Sequence, residues 1–205
     1  MKLGSCVKKV TKIAITGKIG SGKTSLCNII KKIGYKVYES DKEVEKLLKR
    51  AQIIEEVKLL YKGKIRNLID NNGNIHKKIL GDFLFSNKNE LDKLEKLLYP
   101  LLEGQKKKFV EENSNEEFIF FDIPLLFEKK MHKKFDKIIF LDVSKEIQEK
   151  RVLKRKGMTK NKLDNILNNQ SYDISIFKKF ISVQINSSGN KELLENHIKN
   201  FLNNL

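Results

Sequence analysis

The sequence has few of the residues that cross-link a protein or anchor it in a membrane. Its 205 residues include no tryptophan, two prolines and two cysteines, Cys6 and Cys27. Two cysteines are too few for a disulfide framework, so the composition favours a reducing compartment and predicts a cytoplasmic protein. No apolar run is long enough to span a bilayer, and no membrane partner is expected. The histidines, His76, His132 and His197, lack the spacing of zinc ligands, so no zinc site is predicted.

Arginine is also scarce, although the formal net charge is +16. It is confined to Arg50, Arg66, Arg151 and Arg155, so nearly all the positive charge comes from lysine. These lysines are spread along the whole chain, and aromatic residues do not alternate with them as in a base-stacking surface. We therefore expect no nucleic-acid partner, and the charge assists only the binding of anionic substrates. The composition suits one well-buried core, and we expect a monomer or a weak homo-oligomer.

A glycine-rich segment gives the clearest chemical signal. Residues 17–24 read G-K-I-G-S-G-K-T and lie between an apolar run, Ile13–Ile15, and a predicted helix. Glycines allow successive backbone N–H groups to face one concavity, and the N-terminus of the following helix favours an anion. Lys23 can reach the β- and γ-phosphates of a nucleoside triphosphate, and the Thr24 hydroxyl can ligate Mg²⁺. The residues predicted to bind ATP here are Gly17, Ile19, Gly20, Ser21, Gly22, Lys23, Thr24 and Ser25.

Short apolar segments alternate with helical patterns along the chain. Strands are predicted at residues 12–16, 35–38, 118–121, 138–141 and 180–185, with helices between them. This alternation predicts an α/β fold with a mostly parallel five-stranded sheet covered on both faces. The predicted core comprises residues of about 10–43, 116–150 and 180–205, with a helical lobe at about 44–115 and a lid at about 151–179. Pro100 is expected to end or kink the helix predicted over 79–111.

Two carboxylates follow predicted strands, where ligands of parallel sheets bind. Asp41 could accept a proton from the group that receives phosphate, or it could cap the helix that follows, as Ser40 also could. Asp122 could contact Mg²⁺ through water, or it could be a turn residue at the strand end. Asp142 is in a similar position and is expected to be structural.

Arg151 and Arg155 are four residues apart, so they would share one face of a helix. Two guanidinium groups could stabilise the charge on a transferring phosphoryl group, and Gly157 could serve as the hinge of a lid. The alternative is a solvated basic helix face.

Two further patterns are typical of GTPases. Asp70–Gly73 fits D-x-x-G, and Asn161–Asp164 fits N-K-x-D. Neither follows a convincing buried strand, and chance matches are expected in a chain rich in Asn, Lys and Asp. These patterns are therefore weak evidence. A nucleotide-switched or nucleic-acid-binding protein is the alternative from a different class.

The sequence resembles the dephospho-coenzyme A kinase family from about Ile13 to Leu202. The segments that carry the resemblance, in chain order, are residues 15–24, V-Y-E-S-D at 37–41, L-G-D-F-L-F at 80–85, L-E-K-L-L-Y-P-L at 94–101, P-L-L-F-E at 124–128, and Arg151, Arg155 and Gln170. The P-L-L-F-E segment, in order with the others, makes the resemblance specific. Another P-loop kinase of a small metabolite or a nucleoside monophosphate is the alternative within the same class.

The resemblance implies a P-loop kinase fold of three layers and phosphorylation of the ribose 3′-hydroxyl of dephospho-coenzyme A by ATP. It implies that Asp41 is the general base, that Lys23 and Thr24 contact phosphate and magnesium, and that Arg155 is a lid arginine near the transferring phosphate. The residues implied to lie near the substrate are Pro124, Leu125, Leu126 and Glu128. The sequence departs from the family pattern at Lys77, Tyr99, Ile166 and residues 186–189, among the expected substrate and adenine contacts.

Overall fold

Strands and helices alternate along the residues that the computed structural model describes, 9–170 and 172–205. The elements are, in order, β1 (Thr11–Thr16), α1 (Lys23–Lys32), β2 (Lys36–Glu39), α2 (Ser40–Leu47), α3 (Ala51–Leu60), α4 (Lys77–Ser86), α5 (Lys88–Glu112), β3 (Phe118–Asp122), β4 (Lys137–Asp142), α6 (Lys145–Leu153), α7 (Lys160–Asn169), α8 (Ile174–Phe177), β5 (Val183–Asn186) and α9 (Lys191–Asn203). The five predicted strands are all present. The last begins later than expected because Lys178–Phe180 forms a 3₁₀ turn. None of the helices in the described ranges is long and apolar enough to cross a membrane.

The strands form one sheet in the order β2-β3-β1-β4-β5. β1 pairs in parallel with both β3 and β4, and β4 pairs in parallel with β5. β1 is therefore the central strand, and its residues Ile13, Ala14 and Ile15 are each 0% exposed. A strand that is buried on both faces needs a layer of packing on each side. The predicted three-layer α/β fold is confirmed.

The described chain divides into two compact units. The first contains the residues up to Tyr38 and Glu112–Leu205, and the second is Glu39–Glu111. In the first unit, apolar side chains of α1 and α9, among them Leu26, Ile30 and Ile198, join one cluster with the strands. Elsewhere in this unit Phe121 contacts Tyr38 and Phe135, with ring centroids 5.8 and 5.3 Å apart. This packing fixes the strand ends that the site uses.

The second unit is helical and has its own apolar core. The buried residues that form this core are Leu47, Leu48, Ile53, Val57, Tyr61, Leu68, Ile75, Leu80, Leu84, Leu94 and Leu98. The hydroxyl of Tyr61 donates to the carbonyl oxygen of Glu90 at 2.8 Å, and burial raises the pKa of Tyr61 to about 12. Residues 70–74 form a turn, which is closed by an antiparallel bridge between Ile69 and Ile75.

The expectation that the helix ends at Pro100 is wrong, because α5 continues past this proline to Glu112, whereas the alternative of a kink there stays a prediction. A proline removes one backbone hydrogen bond, and leucines of the same helix, including the buried Leu94 and Leu98, still pack into the core of the second unit. The helical stretch breaks instead at Asn87, whose φ of −133° is not helical. The Asn87 side chain donates to the carbonyl oxygen of Phe83 at 2.8 Å and so closes the end of α4.

Candidate active site

The glycine-rich segment forms a tight loop between β1 and α1, as predicted. Gly17 has a φ of +148° and Gly20 a φ of +77°. A Cβ at Gly17 would overlap the carbonyl oxygen of Leu141, and one at Gly20 would lie 2.7 Å from a methyl group of Val152. The loop therefore needs glycine at both positions, for backbone conformation and for space. We call residues 17–24 the phosphate loop.

Lys23 is the first residue of α1, and its side chain folds back across the phosphate loop. Its Nζ donates to the carbonyl oxygens of Gly17 at 2.6 Å and Lys18 at 3.2 Å. The neighbouring Thr24 is exposed in the first turn of the same helix. The ammonium group thus lies at the mouth of the loop, next to the N-terminus of α1, where an anionic group would be favoured.

Three polar side chains hold the tip of the phosphate loop, and only one of them, Gln170, was noted in the sequence. The side-chain oxygen of Gln170 accepts from Ile19 N–H at 2.9 Å. Gln148 Nε2 donates to the Ile19 carbonyl oxygen at 2.7 Å. Ser187 Oγ lies 2.6 Å from the carbonyl oxygen of Ser21, to which it donates. Gln148 and Ser187 are functional candidates that the sequence analysis missed.

Arg151 belongs to the same support. Its guanidinium donates to the carbonyl oxygen of Ser187 at 2.7 Å and lies 3.4 Å from that of Gly20. Arg155 is exposed and lies beyond Leu153, the last residue of α6. The expectation that the two arginines share one helix face is therefore wrong, because the helix ends between them. Their predicted contacts with ATP stay predictions.

Carboxylates gather at the carboxyl ends of the strands in the first unit. Asp122 ends β3 beside Ile15 of β1, and Asp142 ends β4. Glu128 follows β3 in a turn, and one of its carboxylate oxygens is buried with no hydrogen bond to the described residues. Burial raises the pKa of Glu128, while the charge of Lys23 opposes the shift. Burial and the charges of Glu128 and Asp142 raise the pKa of Tyr172. Because the charge of Lys23 acts on the Glu128 carboxylate, Glu128 lies within electrostatic reach of the phosphate loop.

The segment Pro124–Glu128 contains both exposed and buried side chains. Leu125 is 38% exposed, whereas Leu126 is 0% exposed and Phe127 is 2% exposed. The ring of Phe127 stacks on that of Phe177, with centroids 4.5 Å apart. Leu125 and Glu128 can be reached from solvent, but a substrate could contact Leu126 only through its backbone or after a movement. The predicted substrate contacts of this segment stay predictions.

Asp41 lies in the second unit, in the first turn of α2, where its side chain is exposed. The residue at the capping position is Glu39, and its side chain makes no capping hydrogen bond. Ser40 and Asp41 are the first two residues of α2, so neither is at the capping position that the alternative gave them. An exposed carboxylate two residues after β2 keeps the chemistry that a general base needs. Its predicted role as the base stays a prediction.

The GTPase patterns do not form a guanine nucleotide site. Asn161–Asp164 lie within α7, and Asp70–Gly73 form a turn of the second unit, where Asp70 Oδ1 accepts from the N–H groups of Asn72 and Asn74 at 2.9 Å each. Neither pattern follows a strand of the sheet. The side chain of Asp70 stabilises its own turn, as is common for aspartate.

A phosphate loop after the central strand of a parallel three-layer α/β sheet, with Lys23 at the start of the next helix, defines this chain as a P-loop nucleotide-binding protein. The family model described as dephospho-CoA kinase matches residues 11–189. The chain belongs to the dephospho-CoA kinase family, as the resemblance predicted.

Individual relatives agree with this assignment. The dephospho-CoA kinase of Fusobacterium nucleatum subsp. nucleatum is 31% identical over 189 residues, which cover 92% of this chain and 95% of the relative. A crystal structure of a Thermus thermophilus protein matches with a TM-score of 0.77 at 26% identity, covering 97% of this chain and 99% of that one. The dephospho-CoA kinase structure from Campylobacter jejuni has a similar fold, with a TM-score of 0.65 at 22% identity and coverage of 93% and 97%.

The buried carboxylate of Glu128 leads to a prediction for stability. The pKa of Glu128 is higher in the folded protein than in the unfolded chain, because burial disfavours the charged carboxylate. The stability that the protonated group contributes is fully present below the pKa of the unfolded chain, and it is lost as the pH rises through the pKa of the folded protein. Glu128→Gln should therefore raise the melting temperature at pH 7 and leave it unchanged at pH 4. Calorimetry of the ligand-free protein tests this, with the exposed Glu111→Gln as the control. A lower melting temperature for Glu128→Gln at pH 7 would contradict the burial argument.

Proposed function

We propose that this chain transfers the γ-phosphoryl group of ATP to the ribose 3′-hydroxyl of dephospho-CoA and releases ADP and CoA, the last step of CoA synthesis. The observation that carries the proposal is the phosphate loop with Lys23, in a chain whose family assignment covers residues 11–189. In the reaction, the 3′-oxygen forms a bond to the γ-phosphorus while the bond from that phosphorus to the β-phosphate oxygen breaks. The hydroxyl proton needs an acceptor, for which we propose Asp41.

The phosphate loop binds the triphosphate through backbone N–H groups and the Lys23 ammonium. In the ligand-free chain that ammonium donates to the carbonyl oxygens of Gly17 and Lys18. Phosphate groups are negatively charged, so their oxygens are stronger acceptors than these carbonyls. We therefore expect the Lys23 ammonium to leave the carbonyl oxygens and bind the phosphates when ATP binds. Arg155, which is exposed beyond α6, would supply a second positive charge to the transferring group.

Mg²⁺ fits the donors present near the phosphate loop. The Thr24 hydroxyl and the Asp122 carboxylate are hard oxygen donors of the kind that Mg²⁺ prefers. No cluster of three or more His, Cys, Asp or Glu within the described ranges could hold a metal by itself. The ion would therefore arrive with the nucleotide, with Thr24 as a ligand and Asp122 holding one of its waters. Bound there, it would neutralise charge on the β- and γ-phosphates.

The remaining expectations on partners and location belong to the same proposal. We propose a cytoplasmic enzyme that acts as a monomer or weak homo-oligomer and does not use nucleic acid as a partner. Binding of a random oligonucleotide measured over a series of salt concentrations tests the last point. Tight binding that weakens steeply with salt, in a protein without kinase activity, would favour a nucleic-acid-binding protein instead.

An acceptor panel tests the reaction. Purified protein with ATP and Mg²⁺ should form ADP rapidly with dephospho-CoA, at a turnover on the order of 1–100 per second, and slowly with AMP, CMP or shikimate. Lys23→Ala, purified in the same way, controls for contaminating kinases. Turnover with a nucleoside monophosphate and none with dephospho-CoA would replace this proposal with another small-molecule kinase activity.

A further inference from the structure

Two buried glutamines hold one residue of the phosphate loop from opposite directions. Gln170 accepts from the N–H of Ile19 at 2.9 Å, and Gln148 donates to the carbonyl oxygen of the same residue at 2.7 Å. Gln148 is 6% exposed and Gln170 is 8% exposed. Buried amides of this kind need hydrogen-bond partners, and here both partners are backbone atoms of Ile19. The two side chains together orient the peptide groups on both sides of Ile19.

The glutamines come from separate parts of the chain. Gln148 lies on α6, where Arg151 and Val152 follow three and four residues later and so lie on the same helix face. Val152 and the Gln148 backbone also lie within 3.2 Å of the position that a Cβ at Gly20 would take. This face of α6 therefore supports the phosphate loop along residues 19 and 20.

Gln170 directly follows α7, the helix in the predicted lid, as its C-cap residue. Its own N–H donates to the carbonyl oxygen of Ile166 at 2.9 Å, so its backbone is fixed by the helix. Just after it, the ring of Tyr172 packs on Phe127 with centroids 5.4 Å apart. Gln170 therefore connects the end of the lid helix to the tip of the phosphate loop.

Because Gln170 already accepts from the Ile19 N–H, this N–H is not directed at a phosphate. The triphosphate would therefore bind through other N–H groups of the phosphate loop and of the first turn of α1. We propose that Gln148 and Gln170 are positioning residues, which act through Ile19 to hold the phosphate loop in the shape that binds ATP before ATP arrives. Ile19 then contributes to binding through the conformation of the loop and donates no hydrogen bond to ATP. The proposal rests on the proposed function, because it requires that the loop bind a nucleotide.

The test replaces each glutamine by methionine, which has a similar length but no amide. Gln170→Met leaves the buried Ile19 N–H without an acceptor, and we expect the Kd for ADP and the KM for ATP to rise about tenfold. The KM for dephospho-CoA should be unchanged and kcat should fall less than threefold, because Gln170 touches neither the acceptor nor the transferring group. Gln148→Met should act in the same direction. Gln52→Met, an exposed glutamine on α3 that donates to Glu56, is the matched control and should change neither constant.

Gln170→Glu distinguishes positioning from simple loss of packing, since it keeps a side-chain oxygen that can accept from Ile19 N–H. Amide hydrogen exchange of Ile19 in the ligand-free protein should stay protected in Gln170→Glu and lose protection in Gln170→Met. The two methionine variants should combine less than additively, because both act on Ile19.

Three outcomes would overturn the proposal. The first is an unchanged Kd for ADP in Gln170→Met, and the second is a tighter Kd, which would mean that Gln170 competes with phosphate for Ile19. The third is an equal fall of kcat in Gln170→Met and Gln170→Glu with hydrogen exchange at Ile19 unchanged in both, which would mean that the loss of activity does not act through Ile19. Calorimetric ADP binding needs no acceptor substrate, so it tests the positioning role even if dephospho-CoA proves not to be the substrate.

Discussion

Asp41→Asn is expected to lower kcat for phosphorylation of dephospho-CoA by about 100- to 10,000-fold, the usual contribution of a general base. Asparagine has nearly the same size but cannot accept the hydroxyl proton, so the change removes only that step. Asp41 is exposed in the first turn of α2 and does not cap the helix, so the fold should tolerate the substitution. The Kd for ATP should stay within about twofold, since the phosphate loop is unaltered. Rapid-quench kinetics together with calorimetric ATP binding measure both quantities.

Glu43→Gln is the matched control for Asp41→Asn. Glu43 also lies in the first turn of α2, and its carboxylate pairs with Lys46 at 2.6 Å. The Lys46 side chain is 68% exposed and that of Glu43 is 18% exposed, and the glutamine keeps the size of Glu43, so kcat should remain within about twofold of the original value. If Glu43→Gln and Asp41→Asn lower kcat equally, the charge of the helix turn matters and Asp41 is not the base. Normal turnover of Asp41→Asn would have the same meaning.

Lys23→Ala is expected to lower kcat/KM for ATP by about 100- to 1,000-fold. This is the usual effect of removing one hydrogen-bond donor that stabilises the transition state. The Lys23 ammonium lies over the phosphate loop, where it can stabilise the negative charge that develops on the phosphates during transfer. The substitution should weaken binding and turnover together, because the lysine contacts the triphosphate both before and during transfer. Steady-state kinetics with varied ATP, and calorimetric binding of ADP, give the two effects separately.

Lys32→Ala removes a lysine from the other end of the same helix and serves as the control. It changes the net charge by the same amount, so a general electrostatic effect of the basic chain would appear in both variants. We expect kcat/KM for Lys32→Ala within about twofold of the original value. Unaltered activity of Lys23→Ala would contradict the assignment of the phosphate loop as the ATP site.

The phosphate loop could be predicted because its information is local. Its glycines, its lysine and the flanking strand and helix lie within residues 11–32, and each part has a short-range physical reason. The buried strands could be predicted for the same reason, since Phe118–Phe121 and Ile138–Leu141 are continuous apolar runs between polar segments. The Ser144 side chain caps α6 by accepting from Ile147 N–H, as a serine at that position suggests.

The supports of the loop could not be predicted because they connect residues far apart in the chain. Gln148 reaches Ile19 across 129 positions, and Ser187 reaches Ser21 across 166. A single glutamine on an otherwise ordinary helix carries no local signal of such a contact. Ser187 lies just after β5, at the carboxyl end of a strand, and that position was the one available hint. In the sequence this segment was noticed only as a departure from the family pattern.

The placement of Arg155 relative to α6 was not predicted correctly. The side chain of Arg155 was expected on the same helix face as Arg151, but α6 ends at Leu153 and residues 154–157 turn away through Gly157, whose φ is +77°. A glycine in the left-handed region commonly ends a helix, although periodicity alone does not fix the residue at which the end falls. Pro100 is the opposite case, because tertiary packing of leucines maintained a helix that the proline weakens.

We propose that the phosphate loop holds ATP so that its γ-phosphoryl group is transferred to one particular hydroxyl. The most direct test uses ATP that carries oxygen-18 on its γ-phosphoryl group and locates the label in the product by mass spectrometry and phosphorus NMR. We predict a labelled phosphoryl group on the ribose 3′-oxygen of CoA, in an amount equal to the ADP formed, and none with Lys23→Ala. Label released as inorganic phosphate, or found on another acceptor while dephospho-CoA stays unmodified, would contradict the account.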